Sequence, residues 1–521
     1  MGLPDDQSAN SPEVVQHSPV SEFEKENIGV EDTSVEDSEK QIHELNGAHH
    51  EDGRVFVDAA AEKRLVRKLD FRILPVMFLL YLFSYLDRSN VGNAKIAGMS
   101  KDLKLSANGN DYAWLLTIFY IAYIVFEWCA LMWKVVPPHM WAAMMVFGWG
   151  LIATLQATTV SWAGMMVCRF LLGAFEAGFG PGVPFYLSFF YLRKELGLRI
   201  GIFLSAGPLA TCFAGALAYG ITGGHVSIAN WRLLFLVEGL PCMVLAAVAW
   251  FLIPDSPVSA TFLTQEDKDV AKARGVRQVG SDATGSSERL GFIVWSDIGA
   301  ALIDPKNYLT AMMYFSTNVS FSSLPVFLPT ILTQMGFSAI DSQGLSAPPY
   351  FVSFLVVILT TYIADRTGQR GIIILVLSFI GGIGYILLAT TSATSTRYFG
   401  VYLAAVGVFP TIINILPWVL NNQGSDTKRG AGIAILNLVG QCGPILGTRI
   451  FPATDAPYYR LGMWTCAAFM LFTGILAVIL RTLLVWENKR LDAKHGPVEK
   501  ATDGEVAAAV ENDGPNFRYV L

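Results

Sequence analysis

The chain has 521 residues, of which 53% are hydrophobic and 15% charged, with a mean hydropathy of +0.44. Soluble globular chains carry about 25% charged residues, so this composition excludes an ordinary water-soluble domain and points to a bilayer as solvent. The formal charge of −6 says little about the apolar part, because acids crowd the first stretches ("PDDQ", "SEFEKEN", "VEDTSVEDSEK").

In chain order, residues 1–70 read as a disordered acidic cytoplasmic tail, polar and without apolar periodicity. The start MGLPDD shows neither the apolar core of a signal peptide nor a myristoylation signature. A bilayer core of about 30 Å takes roughly 20 apolar residues per helix. Such runs fall at 73–97, 112–133, 141–158, 161–191, 199–221 and 232–253, and again at 308–334, 348–364, 371–391, 398–420, 431–450 and 460–483. The fourth run is too long for one straight span. Its "GFGPGVP" (Gly178 to Pro184) predicts a kink, because proline removes a backbone donor and crowds the preceding turn.

These runs define an N-terminal six-helix bundle over 71–254, a cytoplasmic central loop over 255–306, a C-terminal six-helix bundle over 307–483 and a cytoplasmic tail over 484–521. Lys and Arg gather in alternate loops ("EKRLVRK", Lys134, "LRKELGLR", the central loop, "DRTGQR", "DTKR", "ENKR"), which puts those loops and both termini in the cytoplasm. The halves echo each other. "RIGIFLSAGP" and "RGAGIAILNLVGQCGP" each run from an Arg to a Gly-Pro step, and those steps (Gly207, Gly443) lie 236 residues apart. Transporters are commonly built from such repeats, with the site between them.

The six cysteines (Cys129, Cys168, Cys212, Cys242, Cys442, Cys466) lie inside apolar runs without metal-ligand spacing and read as small packing residues. No histidine lies inside a run, which argues against a histidine proton relay. Nucleotide-binding loops, metal clusters and nucleophile–base spacings are missing as well. The reading is therefore of a non-enzyme with no cofactor and no nucleic-acid partner.

Twelve runs in six-plus-six order, with "ADRTGQR" (Ala364 to Arg370) after the eighth, resemble the major facilitator superfamily. Within it, "YLDRSNVGNAKIAGM", "CRFLLGAFEAGFGPG", "NWRLLFLVEGLP", "FLIPDSP" and "TDAPYYRLG" resemble the anion:cation symporter family, in its fungal allantoate-permease-like branch. The resemblance covers about Leu69 to Trp486. It implies an all-α membrane protein with twelve transmembrane helices in two bundles. It also implies proton-coupled uptake of a small organic anion (a carboxylate, vitamin or allantoate-like molecule) by a functional monomer in the plasma membrane. An exporter of a secondary metabolite is the alternative, and a non-transporting nutrient sensor a further one. There are departures. "LMWKVVPPHMW" lacks the usual acidic signature between the second and third spans, and Glu127 is followed by Trp where the branch more often has Pro. The fifth span lacks the full glycine pattern of proton antiporters, which disfavours antiport.

Ionisable residues at bilayer depth cost about 2.5 to 3.5 kcal/mol each on insertion scales, so they are functional candidates. Asp87 and Arg88 fall past the middle of the first span. Neighbours on a helix point about 100° apart, so each needs its own partner. Arg169 and Glu176 share one face of the fourth span, about 10.5 Å apart along the axis, with Gly173 and Gly178 beside Glu176 allowing close approach. The resemblance implies that Arg88 and Arg169 hold the substrate carboxylate while Asp87 and Glu176 carry the proton. A purely structural alternative pairs Asp87 with Arg169 and Arg88 with Glu176. Asn90, Tyr314, Asn318 and Asn414 are expected to complete the substrate wall, with Asn437 and Gln441 as further polar groups of the second half. Asp365, Arg366 and Arg370 resemble the inner gate, and Glu238 and Arg232 read as structural. Asn318-Val-Ser320 matches a glycosylation sequon but lies within a span.

Overall fold

The computed structural model describes residues 48–51, 54–224, 227–279, 295–423, 426–496 and 517–521. Of the expected tail over residues 1–70, residues 1–47 lie outside the described residues. Two short strands, β1 (Ala48–Glu51) and β2 (Arg54–Val57), pair antiparallel. The rest is helical. The first bundle comprises α1 (Ala59–Asp102), α2 (Asn110–Val135), α3 (Pro138–Gln156), α4 (Trp162–Leu187), α5 (Arg193–Thr222) and α6 (Asn230–Leu252). Two short helices follow, α7 (Gln265–Val279) and α8 (Trp295–Ile303). The second bundle comprises α9 (Pro305–Gln334), α10 (Ala339–Thr367), α11 (Arg370–Thr390), α12 (Thr394–Asn421), α13 (Gly430–Gly447) and α14 (Arg460–His495).

Helix α1 begins well before Phe71. Asp58 caps it, accepting from the Ala60 and Ala61 N–H groups at 3.0 and 3.3 Å, and Glu62 in its first turn suits the positive end of the helix dipole. The rod continues past Asp87 and Arg88 and is interrupted near Gly98, whose φ of 110° only glycine tolerates easily. The charged pair therefore lies deep inside one long element. Helix α4 breaks where "GFGPGVP" predicts. Gly182 N–H bonds Phe179 O instead of Gly178 O, and the freed Gly178 carbonyl accepts the indole N–H groups of Trp133 and Trp141, both at 2.9 Å.

Among the described residues, eleven helices are long and apolar enough to cross a membrane, one fewer than the twelve expected. The remaining element, α9, is a 30-residue helix rich in Ser, Thr and Asn. Most of its hydroxyls bond carbonyls one turn back, as Ser316 does to Met312 O at 2.7 Å and Ser322 to Asn318 O at 2.8 Å. Polar groups satisfied within their own helix survive away from water, although they lower the hydropathy of the run.

In the first bundle α3 packs on α6 and α4, α2 on α4, and α1 on α5 and α6; in the second, α11 packs on α12 and α14, and α9 on α13 and α14. The bundles meet through α5 and α10. They also touch at both ends. Call the end carrying the start of α1 and the finish of α14 the terminal end. There Gly197 of α5 lies against Asp365 and Arg370 with no room for a Cβ. At the opposite end Thr117 bonds Thr448 at 2.9 Å, Arg449 donates to Asn110 at 3.0 Å, and Gln343 reaches Thr222 and Asn93 O. Between these contacts, Tyr85 of α1 meets Phe321 and Phe409 of the second bundle, with ring centroids 5.5 and 6.3 Å apart.

The expected central loop is partly helical and docked. Arg274 of α7 pairs with Glu62 and Glu195, and Lys68 with Asp267. In the expected final tail, residues 517–521 lie on the terminal end of the second bundle: the Val520 carbonyl accepts from Trp418 at 2.8 Å and Asn422 at 3.1 Å.

Candidate functional site

Because Asp87 and Arg88 are sequence neighbours, α1 aims them at different helices. Arg88 turns to α4, where Nη2 and Nε donate to Glu176 Oε2 at 2.7 and 3.1 Å. The arginine side chain is 12% exposed and the glutamate side chain fully buried. The guanidinium also faces the rings of Phe119, Tyr123 and Tyr85 at 5.1, 5.1 and 5.5 Å, a setting that holds a desolvated cation. Asp87 turns to α6, where the Cys242 thiol shares its one proton between Asp87 Oδ2 at 3.3 Å and the Glu238 carbonyl at 3.2 Å.

Arg169 is 1% exposed. It lies over Phe119 at 5.0 Å and donates from Nε to Leu115 O at 3.4 Å, while Nη1 has no hydrogen-bond partner among the described residues. Of the structural alternative, one pair, Arg88 with Glu176, is formed; Asp87 and Arg169 interact electrostatically without a hydrogen bond among the described residues. Gly173, one turn before Glu176, packs against the Phe119 backbone with no space for a Cβ, and that contact brings α2 and its aromatic rings up to the arginines.

The remaining expected site residues separate into groups. Tyr314, half-buried on α9, packs its ring against Gly440 of α13 and lies within electrostatic reach of Glu127 and Arg88 across the bundle interface. Asn318 is buried and donates to Gly440 O at 3.2 Å. Asn90 points away from Arg88 and donates to Glu238 Oε2 at 2.7 Å. Asn414 lies by the terminal-end cluster, where its Oδ1 accepts from Arg370 Nη1 at 3.4 Å. In that cluster Asp365 and Arg370 form an ion pair, whereas Arg366 is exposed and donates to the Tyr362 hydroxyl at 2.8 Å. Arg232 bonds the Ala157 carbonyl, a structural contact that closes α6 on α3.

From the sequence alone Glu238 reads as structural. Its position, 0% exposed beside Asp87, was recoverable only by knowing that α1 and α6 pack together. The buried cysteine reading also needs refinement. Cys242 and Cys466 are buried, but Cys442 is exposed.

Two six-helix bundles that meet at both ends, with ionisable side chains buried deep in one of them, define a multi-pass membrane transporter. The chain belongs to the major facilitator superfamily, whose family description matches residues 77–448. It is 34% identical over 456 residues to MFS transporter prlL of Fungal sp. (strain NRRL 50135), covering 85% of this chain and 90% of that one. It is 30% identical over 466 residues to the high-affinity nicotinic acid transporter of Saccharomyces cerevisiae, covering 88% and 85%. Among solved structures, the xylose transporter XylE from E. coli in a partially occluded inward-open conformation aligns with a TM-score of 0.60 at 13% identity, covering 79% of this chain and 98% of that one. That likeness establishes the fold.

Proposed function

We propose that this transporter is a proton-coupled symporter that brings a small organic anion into the cytoplasm. The observation that carries the reading is the desolvated Arg88–Glu176 pair with Arg169 beside it. Removing one partner from a buried ion pair costs about 3–5 kcal/mol, because the other is left as an uncompensated charge. A carboxylate that takes Arg88 from Glu176 imposes that cost unless a proton neutralises Glu176. Anion on arginine and proton on glutamate therefore favour each other, which is a positive coupling free energy between two ligands. The free Nη1 of Arg169 offers a second donor to the same anion, and planar guanidinium groups suit carboxylates. Asp87 is the second proton carrier in this reading, and Tyr314 and Asn318 form the neutral far wall.

Release requires the terminal end to open. The Asp365–Arg370 pair, seated against Gly197, is the latch that holds it shut, and Asn414 steadies Arg370. Both termini are cytoplasmic, the membrane is the plasma membrane and the monomer suffices. The nicotinic acid relative, whose named cargo is a carboxylic acid, supports the anion class.

Uptake of a panel of labelled carboxylates, nicotinate among them, into cells with and without a protonophore tests this. The expected outcome is concentrative uptake of at least one anion that collapses with the proton gradient. Concentrative uptake indifferent to the protonophore overturns symport.

A further inference from the structure

Helices α1 and α6 cross antiparallel, and their facing polar side chains form two rungs. The Cys242 thiol donates to Asp87 Oδ2, and one turn along the Asn90 amide donates to Glu238 Oε2 at 2.7 Å. Asp87, Asn90 and Glu238 are each 0% exposed. The second carboxyl oxygens, Asp87 Oδ1 and Glu238 Oε1, and the amide oxygen of Asn90 are buried and take no hydrogen bond from the described residues.

Among those residues neither carboxyl has a cation in contact. Arg88 is occupied by Glu176, and Arg169 bonds Leu115 O. Arg169 and Glu176 of α4 act on Asp87 through space, and the two acids act on each other. Of the other helices against α1, α3 carries only His139 at its first turn, the charged residues of α5 end at Arg199, α9 carries only Lys306 at its first turn, and α7 meets the start of α1 at Glu62 and Lys68.

An isolated ionised carboxylate in such a place is costly, and two of them also repel. A proton on either removes the repulsion and that group's own desolvation cost. Asn90 suits both states, since its NH₂ donates to a carboxylate and its carbonyl oxygen can accept from a carboxylic O–H.

We propose that Asp87, Asn90 and Glu238 form a second proton-binding site, with Glu238 as a carrier in its own right, separate from the Arg88–Glu176 pair. The step is a single protonation: a proton binds Glu238 Oε1 or Asp87 Oδ1 to give a neutral acid, and no other bond changes. Its part in transport rests on the symport reading above; the binding of the proton does not.

The test is an infrared pH titration of the full-length protein in phosphatidylcholine vesicles, following the carbonyl stretch of protonated carboxylic acids. Wild type, Asp87→Asn, Glu176→Gln and Glu238→Gln are compared. The expected result is that Glu238→Gln removes one titrating component, that Asp87→Asn removes another, and that each shifts the midpoint of the component left behind, as coupled sites do. An unchanged titration in Glu238→Gln overturns the site. So does a Glu238→Gln protein that cannot be recovered folded, because glutamine mimics the protonated acid and only an obligatory anion would be lost. Because no substrate is needed, failure here is distinguishable from failure of symport, which shows only in the uptake assay.

Discussion

The two bundles share an architecture and differ in what they bury. In the first, Asp87, Arg169, Glu176 and Glu238 lie deep within it, none more than 1% exposed. In the second, the buried polar groups away from the ends are neutral, among them Ser316, Thr317, Asn318, Ser320 and Ser353. Its buried arginines stand at helix starts: Arg370 opens α11, and Arg397 lies in the first turn of α12. The difference teaches a division of labour. Charge at bilayer depth is expensive, so one half concentrates it where partners can neutralise it. The other half offers neutral hydrogen-bonding groups and keeps its buried charges for the ends.

The largest expected effect is in the charged half. Arg88→Ala leaves Glu176 buried without its cation and should destabilise the protein by about 3–5 kcal/mol; adding Glu176→Gln should restore most of that loss. Thermal unfolding of the purified single and double variants measures it, and an Arg88→Ala protein as stable as wild type would break the comparison. In the neutral half, Asn318→Ala removes one hydrogen bond to Gly440 O and should cost only about 1 kcal/mol. A loss as large as that of Arg88→Ala would mean that the second half also holds an energetically critical polar site.

The smallest effect belongs to the water-exposed contacts at the terminal end. Burial pushes the Asp267 carboxyl up, but hydrogen bonds from Lys68 and Thr264 outweigh it and hold the group below the usual carboxylate range. A depressed carboxylate contributes stability above its unfolded value, and the contribution disappears as pH falls through the folded value. Lys68→Ala should therefore cost at most about 1 kcal/mol at neutral pH, since Lys68 is 45% exposed and such pairs are screened. The difference from wild type should vanish in acid. Unfolding midpoints of the two proteins at neutral and acidic pH check this, and a gap that widens in acid would contradict the assignment.

Much of the molecule was written in local pattern. Apolar runs of the right length located the helices, the prolines and glycines of "GFGPGVP" marked the break in α4, and the side-chain angle between Asp87 and Arg88 required them to seek different partners. These follow from helix geometry and the cost of polar groups in hydrocarbon, which act over a few residues and need no knowledge of neighbours. The beginning of α1 before Phe71 was hidden because its first turns are polar and held by contacts with α7, and α9 fell below the apolarity of its companions because of its Ser, Thr and Asn residues. The partners of the buried charges were also invisible. That Glu176 takes Arg88, that Cys242 reaches Asp87, that Asn90 serves Glu238 and that Asn414 serves Arg370 depend on which helices lie side by side. Such contacts join residues up to 155 positions apart, and only the packing of the bundles decides them.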